Sequence, residues 1–120
     1  MIRSLKIRNY TLLKDVSIDF KKGFTVISGE TGAGKSVMLD ALTLLLGKRI
    51  ERYFIDKTSA KTIIEGEFSI QESKLAFFEK HDLDFQELTV IRREFNSDGK
   101  SRAFINDTPV LLNVLSEFHL

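Results

Sequence analysis

The chain of 120 residues contains no cysteine, and that one absence excludes a disulfide framework, a thiolate metal site and a cysteine nucleophile together. A reducing interior suits such a chain. It holds a single proline and no low-complexity tract or internal repeat, so nothing reads as a linker between domains. Long apolar runs are missing too. Leu44 to Leu46 is far too short to span a bilayer, and Met1-Ile2-Arg3-Ser4-Leu5-Lys6 lacks the apolar centre of a signal peptide. A cytoplasmic location is the expectation. Charge of one sign is equally scarce: 18 Lys and Arg against 17 Asp and Glu leave a formal net charge of +1. No global field argues for nucleic acid or membrane, and any such contact must be local.

What is present is an ordinary globular composition, 42% hydrophobic and 29% charged, sized for one domain or one lobe of something larger. Within it the octapeptide Gly29-Glu30-Thr31-Gly32-Ala33-Gly34-Lys35-Ser36 fits the phosphate-loop pattern G-x-x-x-x-G-K-[ST] at every fixed position. Glycines let the backbone curl so that successive N–H groups face a polyphosphate, and the following helix adds its positive N-terminal dipole. Lys35 would bring a mobile charge to the β- and γ-phosphates, and Ser36 a hydroxyl ligand to Mg²⁺. Context supports the motif on both sides. Phe24-Thr25-Val26-Ile27-Ser28 is a β-prone run ending at the loop, and Val37 to Leu46 is apolar on nearly every side, with Gly47 as a C-cap candidate. A central, buried helix is expected there. The alternative is a glycine-rich strand-to-helix turn with no ligand.

Two more strands are expected ahead of the loop. Ile2 to Ile7 alternates with Ile2, Leu5 and Ile7 only roughly in phase, and Val16 to Phe20 alternates through Val16, Ile18 and Phe20. Asn9-Tyr10-Thr11 and Lys21-Lys22-Gly23 supply the turns. Small-molecule kinases and small GTPases usually open with the phosphate-loop strand, so this lead-in is informative. Beyond Gly47, Lys48 to Ser59 reads as a loop, Thr62 to Ile70 as a strand and Glu72 to Lys80 as a short helix. Leu88 to Phe95 and Ser101 to Ile105 flank Asn96-Ser97-Asp98-Gly99-Lys100 as a β-hairpin. Asn106-Asp107-Thr108-Pro109 reads as a turn, and Val110 to Phe118 has helical spacing.

Leu5-Lys6-Ile7-Arg8-Asn9-Tyr10, the block from Gly23 to Ser36, and Leu39-Asp40-Ala41 together resemble the N-terminal head segment of the SMC-like ABC ATPases. Within that group, two stretches are similar to its bacterial branch that repairs DNA double-strand breaks. One is Glu30-Thr31 after the first loop glycine, where many relatives carry Asn-Gly; the other is Val90-Ile91-Arg92-Arg93-Glu94 with the run Gly99 to Asn106. The resemblance covers essentially the whole chain, least distinctively from Lys48 to Lys61. It implies a P-loop NTPase of mixed α/β (α+β) class. Residues 1–120 would form the N-terminal lobe of an ABC/SMC-type head, with an antiparallel β subdomain. It also implies ATP and Mg²⁺ as cofactors, a C-terminal half of the head beyond a long coiled coil, and two heads enclosing two ATP molecules. DNA would be bound by the assembled dimer, in a bacterial, nucleoid-associated protein.

Several residues of such an enzyme are missing from the sequence. Walker B requires about four apolar strand residues followed by Asp-Glu to hold Mg²⁺ and orient water; the nearest approach, Tyr53-Phe54-Ile55-Asp56, is followed by Lys57. No Ser-Gly-Gly signature occurs either. The chain is therefore expected to be an N-terminal fragment that binds phosphates through Gly29 to Ser36 but hydrolyses ATP poorly or not at all. Lys35 would supply charge stabilisation without a general base.

Other residues keep two readings. Asp40, one turn after Ser36, would either order the magnesium shell or be satisfied locally. By resemblance Arg8 and Asn9 would touch ribose or phosphate; otherwise they form an Asn-containing turn. Arg92, Arg93, Lys100 and Arg102 would either meet DNA phosphates or the nucleotide, or form a solvated face paired with Glu94 and Asp98. His81 and His119 have no partners at metal spacing. Two other functions remain open: a complete P-loop transferase or GTPase, for which Asn-Lys-x-Asp and Asp-x-x-Gly are absent, and a non-hydrolysing DNA-binding or dimerisation module. An apolar surface left exposed by truncation would promote self-association.

Overall fold

In a computed structural model of the chain, residues 2–10, 13–20, 25–26, 39–48, 61–98 and 100–118 are described. The first strand, β1 (Ile2–Tyr10), explains its own irregular sequence pattern. Its register against the neighbouring strand shifts between Ile2 and Ser4, and this bulge lets Ile2 and Leu5 pack on one core although they are an odd number of residues apart. β2 (Leu13–Asp19) pairs antiparallel with β1, placing Ile18 opposite Leu5. The described part of the third expected strand is β3 (Thr25–Val26), antiparallel to β2.

Residues 39–45 form helix α1. It buries Ala41, Leu44 and Leu45, while Leu39 and Leu46 are 59% and 41% exposed. Described residues thus bury one stripe of the helix, not every side as its composition suggests. Gly47 has φ +97°, and the Gly47 N–H donates to Leu44 O and the Lys48 N–H to Thr43 O. That pair of bonds closes the helix in a left-handed Schellman cap, which glycine adopts without Cβ strain.

β4 (Thr62–Ser69) alternates buried and half-buried residues without a break. A single 3₁₀ turn (Glu72–Lys74) leads into α2 (Leu75–Lys80), followed by β5 (Leu88–Phe95) and β6 (Ser101–Ile105). The Asn96 side chain organises the hairpin loop, its Oδ1 accepting the N–H groups of Asp98 and Lys100. Beyond β6 the turn is tighter than the sequence suggests. Asn106 and Asp107 both take positive φ, +49° and +65°, the mirror-image turn that matches strand twist. The chain therefore re-enters the sheet as β7 (Thr108–Val110). Pro109 is tolerated there because β7 is an edge strand. The last helix, α3 (Leu112–Glu117), starts two residues later than its spacing predicts, since Val110 belongs to β7 and Leu111 is extended.

The seven strands among the described residues form one antiparallel sheet in the order β3-β2-β1-β4-β5-β6-β7. Every neighbouring pair is consecutive in sequence except β1 and β4, between which residues 11–61 intervene. On the inner face, Leu5, Gly66, Ile91 and Ile105 line up across four strands, and so do Ile7, Ile64, Arg93 and Ala103. This face carries the core with Leu45 of α1, Phe78 of α2, Leu115 of α3 and Phe118 just after it. The rings of Phe77, Phe78, Phe85 and Phe118 pack at 5.0–5.8 Å centroid separations, within the range where edge-on aromatic contacts are favourable.

Candidate functional site

The octapeptide Gly29 to Ser36 lies outside the described residues, as do residues 49–60, which hold most of the expected loop after α1, and His119. Both flanks of the octapeptide are described. β3 ends three positions before Gly29, and the described part of α1 begins three positions after Ser36. The strand before the loop and the helix after it are both present where the motif requires them.

The end of β1 reaches the same helix. Asn9 has φ +55°, a region that asparagine tolerates better than most residues. Its Nδ2 donates to Lys61 O at 3.1 Å, and its carbonyl accepts the buried Thr62 hydroxyl at 2.6 Å. These bonds fasten β1 to the start of β4. Asn9 thus has a local role, with its amide engaged by the backbone. The next residue, Tyr10, is 2% exposed and its hydroxyl lies 3.4 Å from Asp40 Oδ2, the donor of a long hydrogen bond. The Asp40 carboxylate is therefore held by Tyr10, while its carbonyl accepts the Thr43 hydroxyl. Arg8 lies elsewhere. It borders a depression of about 400 Å³ on the outer face with Lys6, Ile63, Glu65, Arg92 and Glu94.

The four basic residues of the hairpin separate into different environments. Arg93 does not belong to an exposed cluster: it is 1% exposed, on the inner face in a row otherwise apolar. Its Nη1 donates to Leu44 O at 3.0 Å and to Lys48 O, and its Nη2 to Ser101 Oγ at 3.1 Å. The guanidinium carbon stands 4.5 Å from the Phe95 ring centroid, a cation–π geometry. Burial lowers its pKa to about 10, which still leaves it charged near neutrality. A cation at carbonyls of a helix C-terminus opposes the negative end of the helix dipole. The sequence held the signal for this position. Alternation through Thr89, Ile91, Arg93 and Phe95 sets Arg93 on the core face and Arg92 on the other.

Arg92 is engaged as well. It meets Glu94 at 3.1 Å, Asp107 at 2.8 Å and Glu65 at 3.7 Å and stacks 4.4 Å from the Phe104 ring centroid. Burial pulls its pKa down, but hydrogen bonding and attraction from Asp107, with Glu94 and Glu65, raise it overall. Lys100 and Arg102 are exposed and, with Lys61, line a 280 Å³ hollow beside Glu94 and Phe95. Asp98 does not pair with Arg92 or Arg93; its amide is part of the Asn96 turn. His81 Nε2 contacts Glu117 Oε2 at 3.0 Å, and Lys80 holds the other oxygen of that carboxylate. Among the described residues no group of three or more His, Asp or Glu is disposed to hold a metal, and no helix is long and apolar enough to cross a membrane.

The AAA domain family model matches residues 4–116. The chain belongs to that family. This AAA domain is similar to the DNA repair protein RecN of Haemophilus influenzae, 38% identical over 125 residues, covering 98% of this chain and 22% of that protein. It is similar also to RecN of Bacillus subtilis, at 34% identity over 120 residues, covering 98% and 21%. The chain spans about a fifth of the length of these curated relatives. Among solved structures it superposes on the Smc head domain of Pyrococcus furiosus, determined with an extended coiled coil and bound to the C-terminal domain of ScpA. The TM-score is 0.69 at 26% identity, over 98% of this chain and 32% of that one. The Smc head domain of Pyrococcus yayanosii gives a TM-score of 0.71 at 23% identity, over 98% and 24%. The fold class is that of the SMC-type P-loop ATPase head, with a large antiparallel sheet.

Proposed function

We propose that residues 1–120 form the ATP-binding N-terminal lobe of a head in a RecN-like DNA repair ATPase. The observation that carries this reading is an intact phosphate-loop octapeptide set between β3 and α1 in a chain similar over nearly its whole length to RecN proteins. The donor set fits a magnesium-bound polyphosphate: loop amides and the Lys35 ammonium for phosphate oxygens, the Ser36 hydroxyl for the metal. Held by the Ser36 hydroxyl, Mg²⁺ would supply positive charge against that of the phosphates. Glu30, Thr31 and Ala33 would contribute through their backbone amides, with Gly29, Gly32 and Gly34 allowing the curl.

Hydrolysis needs groups that these 120 residues do not supply: a Walker B carboxylate pair and a signature segment. Those would come from a C-terminal half of the same head and from a second head, so this chain alone binds ATP without turnover. The whole protein acts on DNA in the bacterial cytoplasm, at the nucleoid. Of the hairpin cations, we assign phosphate contact to the exposed Lys100 and Arg102; the burial of Arg93 and the three carboxylates around Arg92 support that choice. Titration with a labelled ATP analogue and Mg²⁺ tests the reading. Binding by the native chain that is lost in Lys35→Ala is expected, and a native chain that does not bind would overturn it. Turnover by the isolated chain would favour a complete P-loop enzyme.

A further inference from the structure

We infer that Arg93 is a positioning residue of the nucleotide site: from β5 it fixes the far end of α1, and through that helix the placement of Lys35 and Ser36. The inference rests on the phosphate-binding reading above. A single guanidinium joins two carbonyls at the C-terminal end of α1, Leu44 O and Lys48 O, to Ser101 Oγ at the start of β6. It does so from inside the core, where an unpaired charge is costly and geometry is correspondingly constrained. Lys48 O and Leu44 O also flank the Gly47 cap, so the clamp acts on the helix end itself.

Three other contacts make α1 a stiff connector. Leu45 packs into the gap left by Gly66, whose Cβ would stand 2.8 Å from Leu45 Cδ1. A Cβ at Gly47 would stand 2.3 Å from Ser116 Oγ, so the helix end also abuts α3. At the other end Tyr10 holds Asp40. A hydrogen-bonded helix transmits an axial shift along its length because its rise per residue is fixed. Loosening at Leu44 and Lys48 therefore reaches Leu39, the first described residue of the helix.

Arginine is suited to this and lysine is not. The planar fork reaches two helix carbonyls on one side and a hydroxyl on the other, whereas an ammonium is a compact point charge. Affinity for a magnesium-bound ATP analogue is expected to fall in the order native, Arg93→Lys, Arg93→Met. The loss in R93M should be about tenfold, the scale of one lost set of charged hydrogen bonds.

The test measures analogue affinity and melting temperature for the native 120-residue chain, R93K, R93M and Phe78→Leu. Phe78 is a fully buried residue of α2, and F78L serves as a variant destabilised in the core without loss of the Arg93 hydrogen bonds to Leu44 O, Lys48 O and Ser101 Oγ. Positioning predicts the graded affinity loss in the Arg93 variants and native affinity in folded F78L. Native affinity in R93M, or an equal loss in F78L, overturns it. If the Arg93 variants do not fold, amide exchange on the native chain decides. By reciprocity of coupling, analogue binding should slow exchange at residues 44–48 and 93; unchanged exchange there overturns the inference. A native chain that binds no analogue removes the phosphate-binding reading and this one with it, whereas binding without the graded loss removes only this one.

Discussion

Gly66 and Leu45 touch so closely that no side chain fits between them: a Cβ on Gly66 would stand 2.8 Å from Leu45 Cδ1 and 2.7 Å from Phe68 Cε2. The glycine in the middle of β4 is the seat of α1 on the sheet. Gly66→Ala should destabilise the chain by about 1–3 kcal/mol, the usual cost of overpacking. Urea unfolding should show a lower midpoint at unchanged slope, and a midpoint equal to that of the native chain would contradict this packing.

Tyr10→Phe removes the hydroxyl that reaches Asp40 and leaves the ring in place. The bond is long at 3.4 Å, so a loss of about 0.5 kcal/mol is expected, the low end for a hydrogen bond. If Asp40 also belongs to the magnesium shell, Asp40→Asn should weaken binding of the ATP analogue with Mg²⁺ far more than without it. Equal weakening in both conditions would assign Asp40 a structural role alone.

The Asn106 turn depends on one side chain twice. Asn106 has φ +49° and its Oδ1 accepts the Val90 N–H at 2.9 Å. Asn106→Gly keeps the backbone freedom but loses the acceptor, whereas Asn106→Ala loses both. The alanine variant should be the less stable of the two, by about 1 kcal/mol from the strain of positive φ. Thermal melts that rank the glycine variant lower would refute the assignment.

Glu117 links α3 to α2 through Lys80 and His81. Hydrogen bonding from Lys80, followed by that from His81, holds its pKa below the ordinary value of 4.5. On acidification the unfolded chain therefore takes up this proton first, so the contribution is present above about pH 4.5 and is lost as pH falls through the depressed folded value. Melting temperatures measured from pH 6 to pH 3.5 should fall more steeply for the native chain than for Glu117→Gln. Parallel curves would show that the contact adds nothing in solution, as happens with many exposed ion pairs.

Local chemistry made much of this fold readable. Strict alternation predicts β4 and β5, the Asn-Ser-Asp-Gly-Lys loop predicts β6 as the hairpin partner of β5, and Gly47 marks the end of α1. The misses have physical causes. Ile2 falls out of phase because a bulge adds one residue to β1, which periodicity cannot anticipate. Thr108 and Pro109 resemble turn residues, yet a two-residue Asn-Asp turn finishes before them and leaves them as an edge strand. Adjacency groups Arg93 with Arg92, although neighbouring residues on a strand face opposite sides. For the candidate site, the phosphate loop is legible as a motif, but the clamp on α1 joins residues far apart in sequence, which no local pattern encodes.

The seam between β1 and β4 also has a kinetic side. Strands β1 to β3 form one run of sequence neighbours and β4 to β7 another, and in the sheet the pairing of Ile2–Arg8 with Ile63–Phe68 joins them. Everything between, residues 27–61, including the phosphate-loop motif and α1, is the loop that this seam closes. Closing it costs chain entropy before any contact compensates, so the two halves should order first and the seam last. Mutational φ-values should then be higher at Ile105, within the second run, than at Ile7 on the seam. On that order of events, Leu45 of α1 reaches its seat beside Gly66 only as the seam closes.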